Sequence, residues 1–260
     1  TMDTQNKTKI NRLIGQWIMG TPGTTSFLAY SGFSRNLLGK YKKSGWLEPF
    51  GRGAYIRSGD QVDWLGGLYA LQTQLNLPVH AGGKTALELK GYAHYLAARQ
   101  PRVFLYGPRG LVLPAWFRGV RFGVAFTVVR TNLFPAALPA AFTEFAEKAF
   151  RVRMAAPELA MLEMLHLVPK EVGFDEALQV MGNLATLRPE VVQPLLEACG
   201  SVKVKRLFLY LAERHGHDWF AKLDPGKVDL GKGKRMIVPK GRYDARYQIT
   251  VPVDRNEASP

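Results

Sequence analysis

Apolar residues recur at helical spacing between Lys9 and Met19, where Ile10, Leu13, Ile14, Trp17 and Ile18 share one side. That pattern predicts an amphipathic helix ended by Gly20-Thr21-Pro22-Gly23. A short second helix is expected over Thr25–Ser31, with Phe27, Leu28 and Tyr30 available for packing. After the turn at Gly32-Phe33, Ser34 is placed to cap a third helix that runs to Ser44 and stops at Gly45. Two β-like runs follow, Trp46–Phe50 and Ala54–Arg57, and the glycines flanking Arg52 predict a hairpin tip between them. Three helices and then a hairpin predict a winged helix-turn-helix. A fourth helix over Val62–Leu75 and a fifth over Lys84–Arg99 extend it, with a short strand at Leu77–Ala81.

Pro101 marks a boundary, and β-like runs follow it at Val103–Tyr106, Leu111–Leu113 and Gly119–Val129. The pattern then turns helical. Pro157 suits the first position of a helix reaching Leu167, and Asp175–Ala185, Pro189–Ala198 and Val202–Arg214 follow. Met236–Val238 and Arg246–Val251 read as strands closing a sheet. The expected fold class is therefore α+β. A winged helix-turn-helix domain with a helical extension occupies residues 1–99, and a mixed α/β domain occupies residues 100–260, with 254–260 disordered.

Charge changes this picture. The chain has 260 residues with a hydrophobic share of 47%, an ordinary globular composition, yet its formal net charge is +14. Such an excess points to a polyanionic partner rather than to any fold. Residues 1–100 and 101–260 share the excess equally, but it is densest between Lys7 and Arg57, where the only acid is Glu48. The N-terminal stretch has no signal-peptide core, and the apolar runs near Val120–Val129 and Leu133–Phe145 are too short or too broken by proline to span a bilayer. One cysteine, Cys199, fits a reducing cytoplasm. No membrane partner is expected, which leaves nucleic acid as the leading polyanion.

In the third helix Leu37, Leu38 and Tyr41 fall on one side, and Arg35, Asn36, Gly39 and Lys43 on the other, flanked by Lys40 and Lys42. That outer side suits the major groove of DNA. Arg35 and Asn36 carry the groups that bond guanine and adenine edges in pairs, and Lys43 joins them in the groove. Gly39 leaves room for close approach, and Lys40, Lys42 and Arg52 are assigned to phosphates. Ser34 caps the helix where its N–H groups meet a phosphate, and Arg57 stands at the base of the hairpin. Further phosphate contacts, or a surface for an acidic partner, are expected at Lys84, Lys203, Lys205, Arg206, Arg214, Lys232, Lys234 and Arg235; plain surface charge explains the C-terminal clusters equally well.

Other constellations carry less. Gly82-Gly83-Lys84-Thr85 has the end of a phosphate-binding loop, but proline occupies position 78, where that loop needs glycine. Glu88-Leu89-Lys90 matches part of a metal-dependent nuclease site without the paired acid. His215-Gly216-His217-Asp218 lacks a second ligand cluster, and Cys199 lacks a base. No cofactor, no metal and no catalytic residue is expected. An enzyme acting on nucleic acid through Glu88 or the His215–Asp218 region, and a stand-alone transcription factor whose second domain senses a ligand or dimerises, are the competing readings.

The stretch GFSRNLLGKYKKSGWLEPFGRGAYIRSGD, followed by LPVHAGGKTALELKGYAHYL, resembles the N-terminal domain of AbiEi-type antitoxins. NLATLRPEVVQPLLEACGSVKVKRLFLYLAERHGHDWFAKLD and DLGKGKRMIVPKGRYDARYQITVP are similar to the C-terminal domain of that family. The resemblance implies an antitoxin and repressor of a type IV toxin–antitoxin system of the abortive phage infection kind. It implies that the first domain binds inverted repeats in its own promoter. It also implies that the second counters a nucleotidyltransferase toxin without a stable complex between the two proteins.

Overall fold

The computed structural model describes residues 2–93, 101–120, 122–135, 138–147 and 149–253, with side chains from Lys9 onward. The chain runs α1 (Met2–Gln16), β1 (Gly23–Thr24), α2 (Thr25–Tyr30), α3 (Arg35–Lys43), β2 (Leu47–Pro49), β3 (Ala54–Arg57), α4 (Trp64–Tyr69), β4 (His80–Ala81) and α5 (Gly83–Leu89). Then come β5 (Arg102–Gly107), α6 (Ala115–Gly119), β6 (Ala125–Arg130), β7 (Phe142–Glu147) and β8 (Phe150–Ala155). Four helices, α7 (Pro157–His166), α8 (Phe174–Asn183), α9 (Pro189–Ala198) and α10 (Val202–His215), precede β9 (Arg235–Met236), β10 (Arg242–Asp244) and β11 (Ile249–Val251). The fold is α+β. Its sheets have the strand orders β1-β3-β2, β6-β5-β4-β8-β7 and β10-β11-β9.

Two compact units form: Thr1–His80 with Arg99–Arg130 and Glu144–Arg153, and Ala81–Ala98 with Thr131–Thr143 and Met154–Pro260. In the first, Ile10, Leu13 and Trp17 of α1 meet Leu28, Phe33, Leu38, Tyr41 and Leu47 in one core. Burying these side chains is the main force holding α1, α2, α3 and the hairpin together. The expected packing role of Phe27 and Tyr30 is not met: Tyr30 is 93% exposed and Phe27 39%, leaving Leu28 alone to anchor α2.

The expected fourth helix breaks at Tyr69 and continues as a π-helical turn, Ala70–Gln74. The wider turn aims two amides at backbone. Gln74 accepts from the N–H of Thr24 (2.8 Å) and donates to the carbonyl of Pro22 (2.7 Å). Gln72 donates to the carbonyls of Val79 and Arg153 and accepts from the N–H of Arg153. Buried backbone groups outside a ladder need such partners. The expected fifth helix ends at Leu89, with Gly91 at φ +78°; residues 94–99 of that expectation, and the expected disordered tail 254–260, lie outside the described residues. Leu111–Leu113 is not a strand, and β7 and β8 stand where a helical pattern was expected.

In the second unit α7 is buried from Glu158 to Leu165, and α5, α9 and α10 pack on it. It carries two buried acids. Glu163 accepts from the N–H of Gly83 (2.9 Å). Glu158 meets Arg188 through Nε (2.8 Å), Nη2 (3.0 Å) and the backbone N–H (3.1 Å). Burial alone would raise the Glu158 pKa, but the bonds from Arg188 and its charge outweigh it and hold the carboxyl below its ordinary value. A carboxyl depressed in the folded state stabilises above its unfolded pKa and loses that contribution as pH falls through the folded value. Glu158→Gln should therefore cost about 2 kcal/mol at neutral pH. Urea titrations should show the gap to the wild type closing on acidification, and a gap independent of pH would contradict the assignment.

Candidate nucleic-acid interface

The exposed side of α3 is built from local rules. Ser34, extended at ψ 155°, accepts from the N–H of Leu37 and starts the helix. Leu38 and Tyr41 are buried, Leu37 is half-buried, and Gly45 at φ +74° follows the last turn. Fixing that side inward leaves Arg35, Asn36, Lys40, Lys42 and Lys43 exposed. A Cβ added at Gly39 would meet nothing within 4 Å, so the glycine leaves an open notch midway along the basic side.

The hairpin stands beside it. β2 and β3 pair antiparallel with Leu47 opposite Arg57 and Pro49 opposite Tyr55. Gly51 at φ +71° and Gly53 at φ +103° take conformations that side chains oppose, which lets the turn expose Arg52 at its tip. The N–H of Thr25 donates to the carbonyl of Gly53 (2.9 Å), tying the tip to the start of α2. On its other side, a Cβ at Gly51 would come within 3.0 Å of the Trp116 Cα, and Phe50 lies 6.1 Å from the Trp116 ring. Trp116 is 2% exposed and belongs to an aromatic cluster with Phe117 and Phe122. An open groove of about 380 Å³ lies here, lined by Arg35, Arg52, Thr25, Ser26, Pro114 and Trp116 among others. Trp116 and Ser26 were not singled out from the sequence. Nothing in a linear pattern places residue 116 behind residue 51.

One expected contact, Arg57, is placed differently. Arg57 is part-buried and paired with Asp60 at 3.4 Å, a carboxylate that also accepts from the N–H of Gly20. It braces the hairpin base instead of standing free beside it. Glu48, the one acid of the basic stretch, accepts from the Ser58 hydroxyl (2.7 Å) and the Gly59 N–H (3.1 Å), bonds that lower its pKa. Its charge is engaged with the hairpin rather than with α3.

The second basic set is more strongly corrected. Lys205 and Arg206 are buried, at 5% and 2% exposure. The Arg206 guanidinium donates to the carbonyls of Leu230 (2.8 Å), Gly231 (3.0 Å), Gly233 (2.6 Å) and Gln248 (3.2 Å). Lys203 donates to the carbonyls of His166 (2.9 Å) and Val168 (2.6 Å) and covers the end of α7; burial lowers its pKa. Lys84 is paired with Glu176 and Glu88. None of these four offers a free charge to a phosphate. Lys232, Lys234 and Arg214 are exposed and Arg235 half-buried, with Lys234 4.8 Å over the Tyr243 ring and Arg214 within 3.4 Å of the Tyr210 hydroxyl.

The other constellations have structural partners. Burial pushes Glu88 up to about 7, against the lowering effect of Lys84. His215 and His217 bond the carbonyls of Leu178 and Met181 and stack at 5.7 Å. The Cys199 thiol is buried and raised by that burial. Among the described residues no group of three metal-ligating side chains forms, and no helix is long and apolar enough to cross a membrane.

Family models place the chain among transcriptional regulators. It belongs to the AbiEi antitoxins of type IV toxin–antitoxin systems: residues 6–98 match the transcriptional regulator, AbiEi antitoxin N-terminal domain, and residues 100–252 match the transcriptional regulator, AbiEi antitoxin, type IV toxin–antitoxin system. No curated protein matches the chain. A crystal structure of the RV2827C protein from Mycobacterium tuberculosis has a similar fold, at a TM-score of 0.59 and 15% identity, over 95% of this chain and 90% of that one.

Proposed function

We propose that the protein is a cytoplasmic DNA-binding repressor and antitoxin, reading duplex DNA through a winged helix-turn-helix within residues 1–99 and countering its toxin through residues 100–260. The observation that carries the reading is the exposed side of α3, basic from Arg35 to Lys43, beside a hairpin with an exposed arginine at its tip. The side of α3 that begins with Arg35 and Asn36 lies in the major groove, with Lys40 and Lys42 at phosphates. The DNA is a set of inverted repeats in the operon's own promoter. Family membership supports the second role, directed at a nucleotidyltransferase toxin without a stable complex.

Titration of the full chain into duplexes from its promoter, with and without the inverted repeats, tests the first role. Asn36→Ala should cost about 1–3 kcal/mol and relax the preference at one adenine, whereas Lys43→Ala should change the selected bases less than the affinity. Equal binding of both duplexes by the wild type would refute sequence reading. Co-expression with the neighbouring toxin tests the second role, since cells carrying the chain should grow where cells with toxin alone do not.

A further inference from the structure

Arg35, in the first turn of α3, and Arg52, at the hairpin tip, are separated in the chain by the rest of α3 and by β2, yet line the same groove. Neither guanidinium has a carboxylate partner among the described residues, whereas Arg57, Lys84, Arg151 and Arg188 do. The groove wall between them is mixed. Thr25, Ser26 and Pro114 line it, and the buried Trp116 closes it from behind. Two guanidinium forks without carboxylate partners, lining one open groove together with hydroxyl side chains, match a phosphodiester better than a base edge, which offers no net charge. Duplex backbone and a free nucleotide share this chemistry. The groove is open and sits on the side where α3 is exposed, which favours the duplex.

We infer that this groove clamps one backbone phosphate of the bound duplex, with Arg35 and Arg52 both bonded to it. The inference rests on the DNA-binding reading. It moves Arg35 from a base edge, where its residue type places it, to the backbone. It also makes the hairpin tip and the start of α3 a single contact, with the tip tied to α2 by the Thr25 to Gly53 bond. Sequence reading is then left to the rest of that helix side, with Asn36 as its principal reader.

The test is a mutant cycle on the full chain with two probes, a random-sequence duplex and a duplex selected by the wild type from a randomised pool. Both arginines are exposed, so Arg35→Ala and Arg52→Ala should fold normally. Each should weaken binding to both duplexes by the same factor, roughly tenfold, and make the dependence of log K on log salt shallower by about 0.9, the change for one lost phosphate. The double variant should lose little more than either single one, while Arg35→Ala with Lys42→Ala should lose two phosphates' worth of slope. Additive losses for Arg35 and Arg52, or a changed base preference in Arg35→Ala, would overturn the shared clamp while leaving DNA binding intact. A wild type that binds neither duplex would overturn both readings. A groove filled by a nucleoside monophosphate at concentrations that displace no duplex would assign it to a free nucleotide and reject the clamp.

Discussion

Arg206→Met should release the loop from Asp229 to Arg235 and lower the stability of the second unit by about 3 kcal/mol. Methionine keeps most of the volume, so what is removed is the set of bonds. Four backbone carbonyls, from Leu230, Gly231, Gly233 and Gln248, converge on one guanidinium that is almost fully enclosed. Burial penalises that charge and lowers its pKa, and Arg235 adds repulsion. The carbonyl bonds, with a smaller favourable contribution from Tyr243, offset this cost. Carbonyls near the surface regain water when the loop opens, which keeps the loss well below four separate bonds. Arg206→Lys should recover little, because an ammonium cannot reach a spread of acceptors that a planar fork spans. Urea unfolding gives the stability, and hydrogen exchange at Gly231 and Gly233 gives the loop. Exchange as slow as in the wild type would show that the loop is held by something else. Lys232 and Lys234 ride on this loop, so the variant also asks whether countering the toxin needs them held in place.

What the sequence disclosed, and what it hid, divides along a physical line. The Ser34 cap, the Leu38 and Tyr41 side of α3 and the glycines around Arg52 are short-range features, and the structure places them as their spacing predicts. Lys205 and Arg206 went astray because a helical wheel records where a side chain points, not what later lies over it. One signal was available: Leu207 to Ala212 is continuously apolar, the mark of a helix enclosed on every side, whose polar residues are then enclosed too. Phe150–Ala155 alternates buried and exposed along its first four residues, a strand signal overlooked beside the helical stretches that follow. The π-turn at Ala70–Gln74 had no signal, because the extra residue per turn serves Gln72 and Gln74 partners that are remote in the chain. The groove was illegible for the same reason. Arg35 and Arg52 were both chosen, but nothing in the sequence shows that they line one groove with Trp116.

Trp116→Ala should therefore act twice. The ring is among the largest fully buried side chains, so its removal should cost about 3–5 kcal/mol of stability in the first unit. Its backbone contact with Gly51 survives the substitution, but the ring beside Phe50 is lost, so the hairpin tip loses part of the packing behind Arg52. Duplex affinity should fall by up to the factor seen for Arg52→Ala, measured where the variant remains folded. Leu68→Ala supplies the control. It removes a fully buried side chain from the same unit, outside the groove, and should lower stability by a comparable amount while leaving affinity near the wild-type value. Should both variants lose affinity in step with stability, Trp116 would be ordinary core and the clamp would not depend on it. A fragment ending at residue 99 lacks this wall altogether. It keeps all of α3 and the hairpin, yet should bind duplex more weakly than the full chain, because the arginine at the tip is then free to wander from the phosphate it shares with Arg35.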